Sequence, residues 1–198
     1  QPRRAFALLA AQFFRPVRRL LADAPDTAAA CILLRHGVGH YAAHTNLDAA
    51  AGGVNDVLAG LCGVEDAVPF GDGIGRIGTL PEPETLAALG ARVGQKLDTD
   101  ARLTGDPDAL VRRAAFVGGA GGSELWDAKR AGAEVIITGE LKHNEALDAL
   151  VLGLCCVSAG HDETERIILK PLIWRLQRET DDVQYNLAHS DKRPFAAV

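Results

Sequence analysis

Methionine is absent from the chain, and the first residue is Gln1. Together these point to a processed chain or a piece of a longer one. No run of about 18 apolar residues lacks charge, which argues against a membrane-spanning helix. The early apolar stretch runs into Arg15, Arg18 and Arg19, so there is no secretory signal pattern. Cysteine is scarce: Cys31, Cys62, Cys155 and Cys156 are the four, and no Cys-x-x-Cys spacing occurs. That excludes a disulfide framework and leads us to expect buried thiols in a reducing cytoplasm. Positive charge is not in surplus either. The net charge of −5 argues against a general nucleic-acid coat. The local basic stretch Arg3, Arg4, Arg15, Arg18 and Arg19 reads as a solvated helix face.

What is present is enough for a core. The chain has 198 residues, 47% hydrophobic and 24% charged, the balance of an ordinary soluble domain. The pattern predicts a helix over residues 5–21, interrupted near Pro16. It predicts a second helix over 27–35, ended by His36-Gly37, and a short strand over 38–43. A helix is expected over 54–62, a loop over 65–83, and a helix over 85–97 with Thr85 as N-cap. Residues 98–108 read as turns. From Leu110 strand and helix alternate. Strands are expected over 113–117, 134–138 and 154–158, with helices up to about Ala131 and over 142–152. A longer helix over 162–178, kinked at Pro171, and a last strand over 183–187 complete the pattern. The alternation implies an α/β fold of layered sheets with flanking helices.

Two blocks carry metal-type ligands. His44-Thr45-Asn46-Leu47-Asp48 and His161-Asp162-Glu163-Thr164-Glu165 each place a carboxylate four residues after an imidazole. On a helix that spacing puts both side chains on one face. Zinc, manganese and iron accept such mixed nitrogen and oxygen ligands. Either block alone is equally a solvated pair. Thr138-Gly139-Glu140-Leu141-Lys142-His143 follows a strand, at the edge where ligands gather in α/β sheets. Glu140 and His143 are therefore candidate acid/base groups or partners of the ligands, or else helix-start surface residues. Gly118–Ser123 is a glycine-rich strand-to-helix turn that suits an anion or simply a tight turn. It lacks the Lys-Ser/Thr of a P-loop. Gly73-Ile74-Gly75-Arg76-Ile77-Gly78 matches the dinucleotide fingerprint by letter, but no strand is expected before it and no helix opens inside it. A structured loop is the expected reading.

Taken together, several segments resemble one family, the dinuclear metal-centre proteins known as type 2 GTP cyclohydrolase I homologues or the NGG-one-interacting-factor-three family. They are Tyr41 to Asp48, Gly52-Gly53-Val54-Asn55-Asp56, Gly75-Arg76-Ile77-Gly78, Gly118-Gly119-Ala120-Gly121, Ile137 to His143, Ala159-Gly160-His161 with Glu165, and Asp191-Lys192-Arg193-Pro194-Phe195. The resemblance covers about residues 13–198 in the family's order. It implies two intertwined α/β lobes around a central metal cleft, one over 1–64 plus 154–198 and the other over 65–153. It implies metal ligation by Asp48, His161 and Glu165, and a homo-oligomer in the form of a hexameric ring. The family's His-His-Pro segment is not matched: Leu9-Ala10-Ala11-Gln12 stands where it is expected, and the family's N-terminal strand and helix are missing too. Three of five expected ligands remain, enough for one ion.

Two functions follow from this reading. One is a metal-dependent hydrolase of a nucleotide or another small phosphate or cyclic amide compound. In it one or two divalent ions (zinc, manganese or iron) activate water, and Glu140 or His143 moves the proton. The other is a non-catalytic metal-binding or partner-binding oligomer with a degenerate site. Both place the protein in the cytoplasm, without membrane or nucleic-acid partners.

Overall fold

The computed structural model describes residues 6–9, 19–25 and 27–188. The chain divides between Leu47 and Asp48 into two compact units. In the first, β1 (Phe6–Leu9) pairs in parallel with β2 (Gly39–Ala42), Phe6 opposite Gly39 and Leu9 opposite Ala42. Parallel neighbours need a crossover, and α1 (Ala28–Arg35) lies in it. This corrects the helix expected over 5–21 where the two overlap. Phe6–Leu9 is a continuous apolar run with no helical period, and pairing with β2 decides its state. The rest of that expected helix up to Pro16 lies outside the described residues. So do the expected His-His-Pro position from Ala10 on and the Asp191–Phe195 segment.

The second unit is built on a six-stranded sheet in the order β3-β4-β6-β7-β8-β5. The strands are β3 (Val68–Phe70), β4 (Gly75–Thr85), β5 (Arg102–Thr104), β6 (Leu110–Ala120), β7 (Val135–Glu140) and β8 (Cys155–Ser158). β6, β7 and β8 run parallel, and β4 and β5 flank them antiparallel. Side chains alternate strictly along the central strands. Ala114, Phe116, Ile137 and Val157 enter the core with Leu58, Leu80, Leu86 and Leu89. Ala115, Val117, Ile136 and Cys156 enter the opposite one with Phe70, Ile77 and Leu125. The period of two therefore buries both faces, as a sheet covered by helices on each side requires. α3 (Val54–Leu61) and α4 (Leu86–Leu97) cover the first face. α5 (Leu125–Arg130) and α6 (His143–Leu152) cover the second. α2 (Thr45–Ala49) precedes them, and Thr85 caps α4 by accepting the Ala88 amide at 3.2 Å. All four cysteines are free.

Several expectations are corrected. The loop expected over 65–83 holds β3 and most of β4. Its glycines make room for neighbours, since a Cβ on Gly78 would collide with Val64 and approach Asp66 Oδ1 to 3.0 Å. Of its three prolines, Pro69 lies in the edge strand β3, and Pro81 and Pro83 fall where the register with β6 shifts, both places where a sheet tolerates them. The turns expected over 98–108 hold β5, which pairs with β8. The single helix expected over 162–178 is two, α7 (His161–Arg166) and α8 (Leu169–Glu179). Pro171 stands in the first turn of α8, where its missing N–H costs nothing. The strand expected over 183–187 has no regular structure. Among the described residues no helix is long and apolar enough to cross a membrane.

Candidate functional site

The parallel register brings the carboxyl ends of β6, β7 and β8 side by side, with Val117 opposite Thr138 and Thr138 opposite Ser158. Three glycine-containing segments leave these ends, and buried side chains tie them together. The Thr138 hydroxyl donates to the Gly119 carbonyl at 3.1 Å and accepts the Gly121 amide at 3.0 Å. Thr164, on α7 and fully buried, accepts the Gly119 amide at 3.0 Å and donates to the Gly160 carbonyl at 2.9 Å. Asn55 Oδ1 accepts the Gly118 amide at 2.7 Å, while its Nδ2 donates to the Ile74 carbonyl at 2.8 Å. The glycine-rich loop therefore has its Gly118, Gly119 and Gly121 amides committed to side chains. These three amides are closed to an anion, which favours the tight-turn reading of the loop.

α7 begins at His161, straight after Gly160, whose φ of +91° turns the chain sharply off β8. One helical turn later comes Glu165. His161 Nε2 lies 3.2 Å from Glu165 Oε1, and His161 Nδ1 lies 3.1 Å from Glu140 Oε1 at the end of β7. The imidazole is thus held between two carboxylates from two elements. The Glu165 side chain is 19% exposed and the Glu140 side chain 56%, so Glu165 is the inner partner. Gly119, at φ +67°, closes one side of this pair: a Cβ there would stand 2.6 Å from Glu165 Oε1 and 3.2 Å from His161 Nε2. The His161 pKa is raised to about 9, chiefly by its bond to Glu165 and secondly by Glu140, against the cost of partial burial.

The arrangement is compatible with a metal-ligating histidine. Such a residue usually gives one ring nitrogen to the ion and the other to a carboxylate that orients it. Here Glu140 occupies the orienting position at Nδ1, and Nε2 shares its side with Glu165. The two donors are close enough to enter one coordination sphere. Any ion competes with a proton for Nε2.

Of the other expected residues, Asp48 is half-buried in the last turn of α2. Its neighbourhood is fixed from β4. Arg76, buried, donates to the Ala49 and Ala50 carbonyls at 2.8 and 3.2 Å and pairs with Asp56. Asp56 in turn accepts the Gly52 amide at 2.6 Å. These contacts explain the two motifs Gly52–Asp56 and Gly75–Gly78: they clamp the segment after Asp48 onto the sheet. Among the described residues, no group of three His, Cys, Asp or Glu side chains has the arrangement of a metal site. The pair His161–Glu165 is brought together, and Asp48 is not shown to join it. His143 opens α6 and is exposed. Thr164, Thr138 and Asn55 organise the site without being candidates from sequence; each lies in a motif, Thr164 within His161–Glu165, Thr138 at the head of Thr138–His143 and Asn55 in the Gly-Gly-Val-Asn-Asp segment, but nothing local marks its hydrogen-bonding role.

Fold and site together define an α/β protein with an imidazole–carboxylate pair at the carboxyl edge of a parallel sheet. Residues 11–194 match the Duf34/NIF3 (NGG1p interacting factor 3) family, and the chain belongs to it. It is 35% identical over 161 residues to the GTP cyclohydrolase 1 type 2 homolog of Streptococcus pneumoniae, covering 76% of this chain and 60% of that protein. It is 30% identical over 176 residues to the protein NIF3 homolog of Schizosaccharomyces pombe, covering 81% and 62%. The chain thus spans about 60% of the length of these two relatives. A Bacillus cereus protein related to NIF3 has the same fold. Its TM-score is 0.83 at 22% identity, over 98% of this chain and 83% of that one.

Proposed function

We propose that this protein binds a divalent metal ion through His161 and Glu165, with Asp48 as the third ligand, and acts as a metal-dependent hydrolase. One observation carries this reading: the His161 imidazole is oriented by Glu140 at Nδ1 and presents Nε2 beside Glu165 at 3.2 Å. A surface histidine has no need of a carboxylate on each nitrogen. Zinc, manganese or iron suits the donor set. A bound ion would supply Lewis acidity for hydrolysis. Glu140 then positions His161 instead of moving a proton, and His143 remains the candidate proton carrier. The substrate class is a nucleotide or another small phosphate or cyclic amide compound. Support for that class comes from relatives named GTP cyclohydrolase 1 type 2 homolog. A homo-oligomeric ring in the cytoplasm belongs to the same proposal.

A second reading, a non-catalytic metal-binding or partner-binding oligomer, is favoured by the lack of a three-ligand group among the described residues. Metal analysis of the purified protein, joined to phosphoesterase and GTP ring-opening assays, separates the two. The hydrolase reading expects bound metal and a turnover that Asp48→Ala and His161→Ala both abolish. Metal without turnover leaves the second reading. Absence of binding to zinc, manganese and iron by calorimetry overturns the metal assignment itself.

A further inference from the structure

Helix α6 is apolar on two opposite faces. Ala149 and Leu152 pack into the core on the sheet's second face. Leu147, Leu150 and Val151 point away from it, each half exposed or more, with Val151 at 87%. The helix pitch sets these three on one stripe, since they stand at i, i+3 and i+4. A helix lying on a domain surface turns polar side chains outward, and one that is apolar all round is covered. α5 runs alongside. Gly122, just before α5, leaves no room for a Cβ against the Glu145 carboxylate, and Lys129 Nζ donates to the Gly153 carbonyl at 3.0 Å. Glu145, and Asp148 one turn later, therefore lie on the side of α6 turned to α5. Trp126, one turn before Lys129 and 63% exposed, widens the stripe from the α5 side.

Four such side chains expose on the order of 400 Å², about half of what each partner gives to a standard interface. An apolar centre of that size inside a polar rim is the anatomy of a protein contact. The charge pattern selects a second copy of this chain. The stripe itself holds no charge, so a copy of it meets no like charge across a two-fold axis. With the two α6 helices antiparallel, the amino end of each lies beside the carboxyl end of the other, which pairs opposite helix dipoles. The two-fold also keeps the α5 sides together. Asp148 of one copy then comes to the side that holds Lys129 of the other, so the rim is complementary in sign.

We infer that the outward stripe of α6, with Trp126 beside it, is a two-fold contact between copies of this chain in which α6 packs antiparallel on α6. This contact is one face of the homo-oligomer in the proposed function, and it rests on that reading. Light scattering on the purified protein is expected to give at least twice the chain mass. Val151→Glu and Val151→Lys each set like charges across the axis, and each should at least halve the mass. An equimolar mixture of the two should regain the wild-type mass, because opposite charges then face each other. Val151 is too exposed to hold the fold, and circular dichroism should show both variants folded. Leu150→Ser is a milder change that should raise the dissociation constant at least about tenfold, the loss of one apolar anchor at a contact centre. A monomeric wild type overturns both this contact and the homo-oligomer. A folded Val151→Glu with wild-type mass overturns the contact alone and leaves the homo-oligomer to another face. If each variant loses mass and the mixture does not regain it, the two-fold arrangement is overturned and the inference with it.

Discussion

The strands β6, β7 and β8 have two ends of opposite character. At the carboxyl end, two buried hydroxyls and a buried amide saturate the backbone, and one helix sets an imidazole between two carboxylates. At the amino end, the exposed Glu134 ties the strand starts together, accepting the Arg112 and Arg113 amides at 2.6 and 3.0 Å. There the Arg113 side chain runs past Gly132 at the end of α5. The difference teaches where rigidity is placed. A side chain that must be held within a fraction of an ångström needs buried, fully satisfied partners behind it. Strand starts open to solvent do not.

The sharpest way to break the comparison is at Arg76. Arg76→Ala leaves Asp56 without its partner and frees the segment after Asp48. It is expected to cost about 3 kcal/mol, the low end of the range for one member of a buried pair, because the Asp56 side chain keeps 28% exposure. Denaturant unfolding checks this; a loss below about 1 kcal/mol would mean the clamp is incidental. Next comes Thr164→Val, which strands the Gly119 amide in the core. About 1–3 kcal/mol is expected, with most of it recovered in Thr164→Ser. Equal stability of the valine and serine variants would show that the hydroxyl does not tie the strand ends.

Gly119→Ala is smaller in stability and larger in function. A left-handed alanine costs about 1–2 kcal/mol, but its methyl group would displace Glu165. Metal binding measured by calorimetry should fall much further than stability does. If both are unchanged, the space beside His161 and Glu165 is not confined as described.

Smallest is the effect of pH, and its sign differs at the two ends. The folded pKa of His161 is raised from 6.5 to about 9. Its stabilisation of the metal-free protein is therefore complete below pH 6.5 and lost as pH rises through about 9. The Glu134 pKa is lowered from 4.5, first by the Arg113 amide and then by that of Arg112. Its stabilisation is present above pH 4.5 and lost as pH falls through the lower folded value. Thermal melts across pH should lose the alkaline slope in His161→Gln and part of the acid slope in Glu134→Gln. Both groups are well exposed, so each slope is shallow.

Much of the fold can be read from the chain because local signals agree with it. The apolar runs of β7 and β8, each ending at glycine or a small residue, announce parallel strands, and Thr85 with Leu86, Leu89 and Val93 announces α4. β3, β4 and β5 are hidden for the opposite reason. The glycines and prolines of β3 and β4 carry loop signals, β5 is three residues in a polar stretch, and only pairing with β4, β6 and β8 makes them strands. In the site, His161 and Glu165 share a face by helical arithmetic. Thr164, between them in sequence, looks like any helix-surface threonine until folding carries Gly119 to it from 45 residues away.

The order of letters alone therefore settled the α/β class, the family and the His161–Glu165 spacing, because each depends on neighbours within a few residues along the chain. Tertiary structure decided that Glu140 reaches the second nitrogen of His161, that Arg76 anchors the segment beyond Asp48, and that Thr164 meets the Gly119 amide. Those outcomes join residues far apart in the chain, and only the packed sheet determines which of them meet.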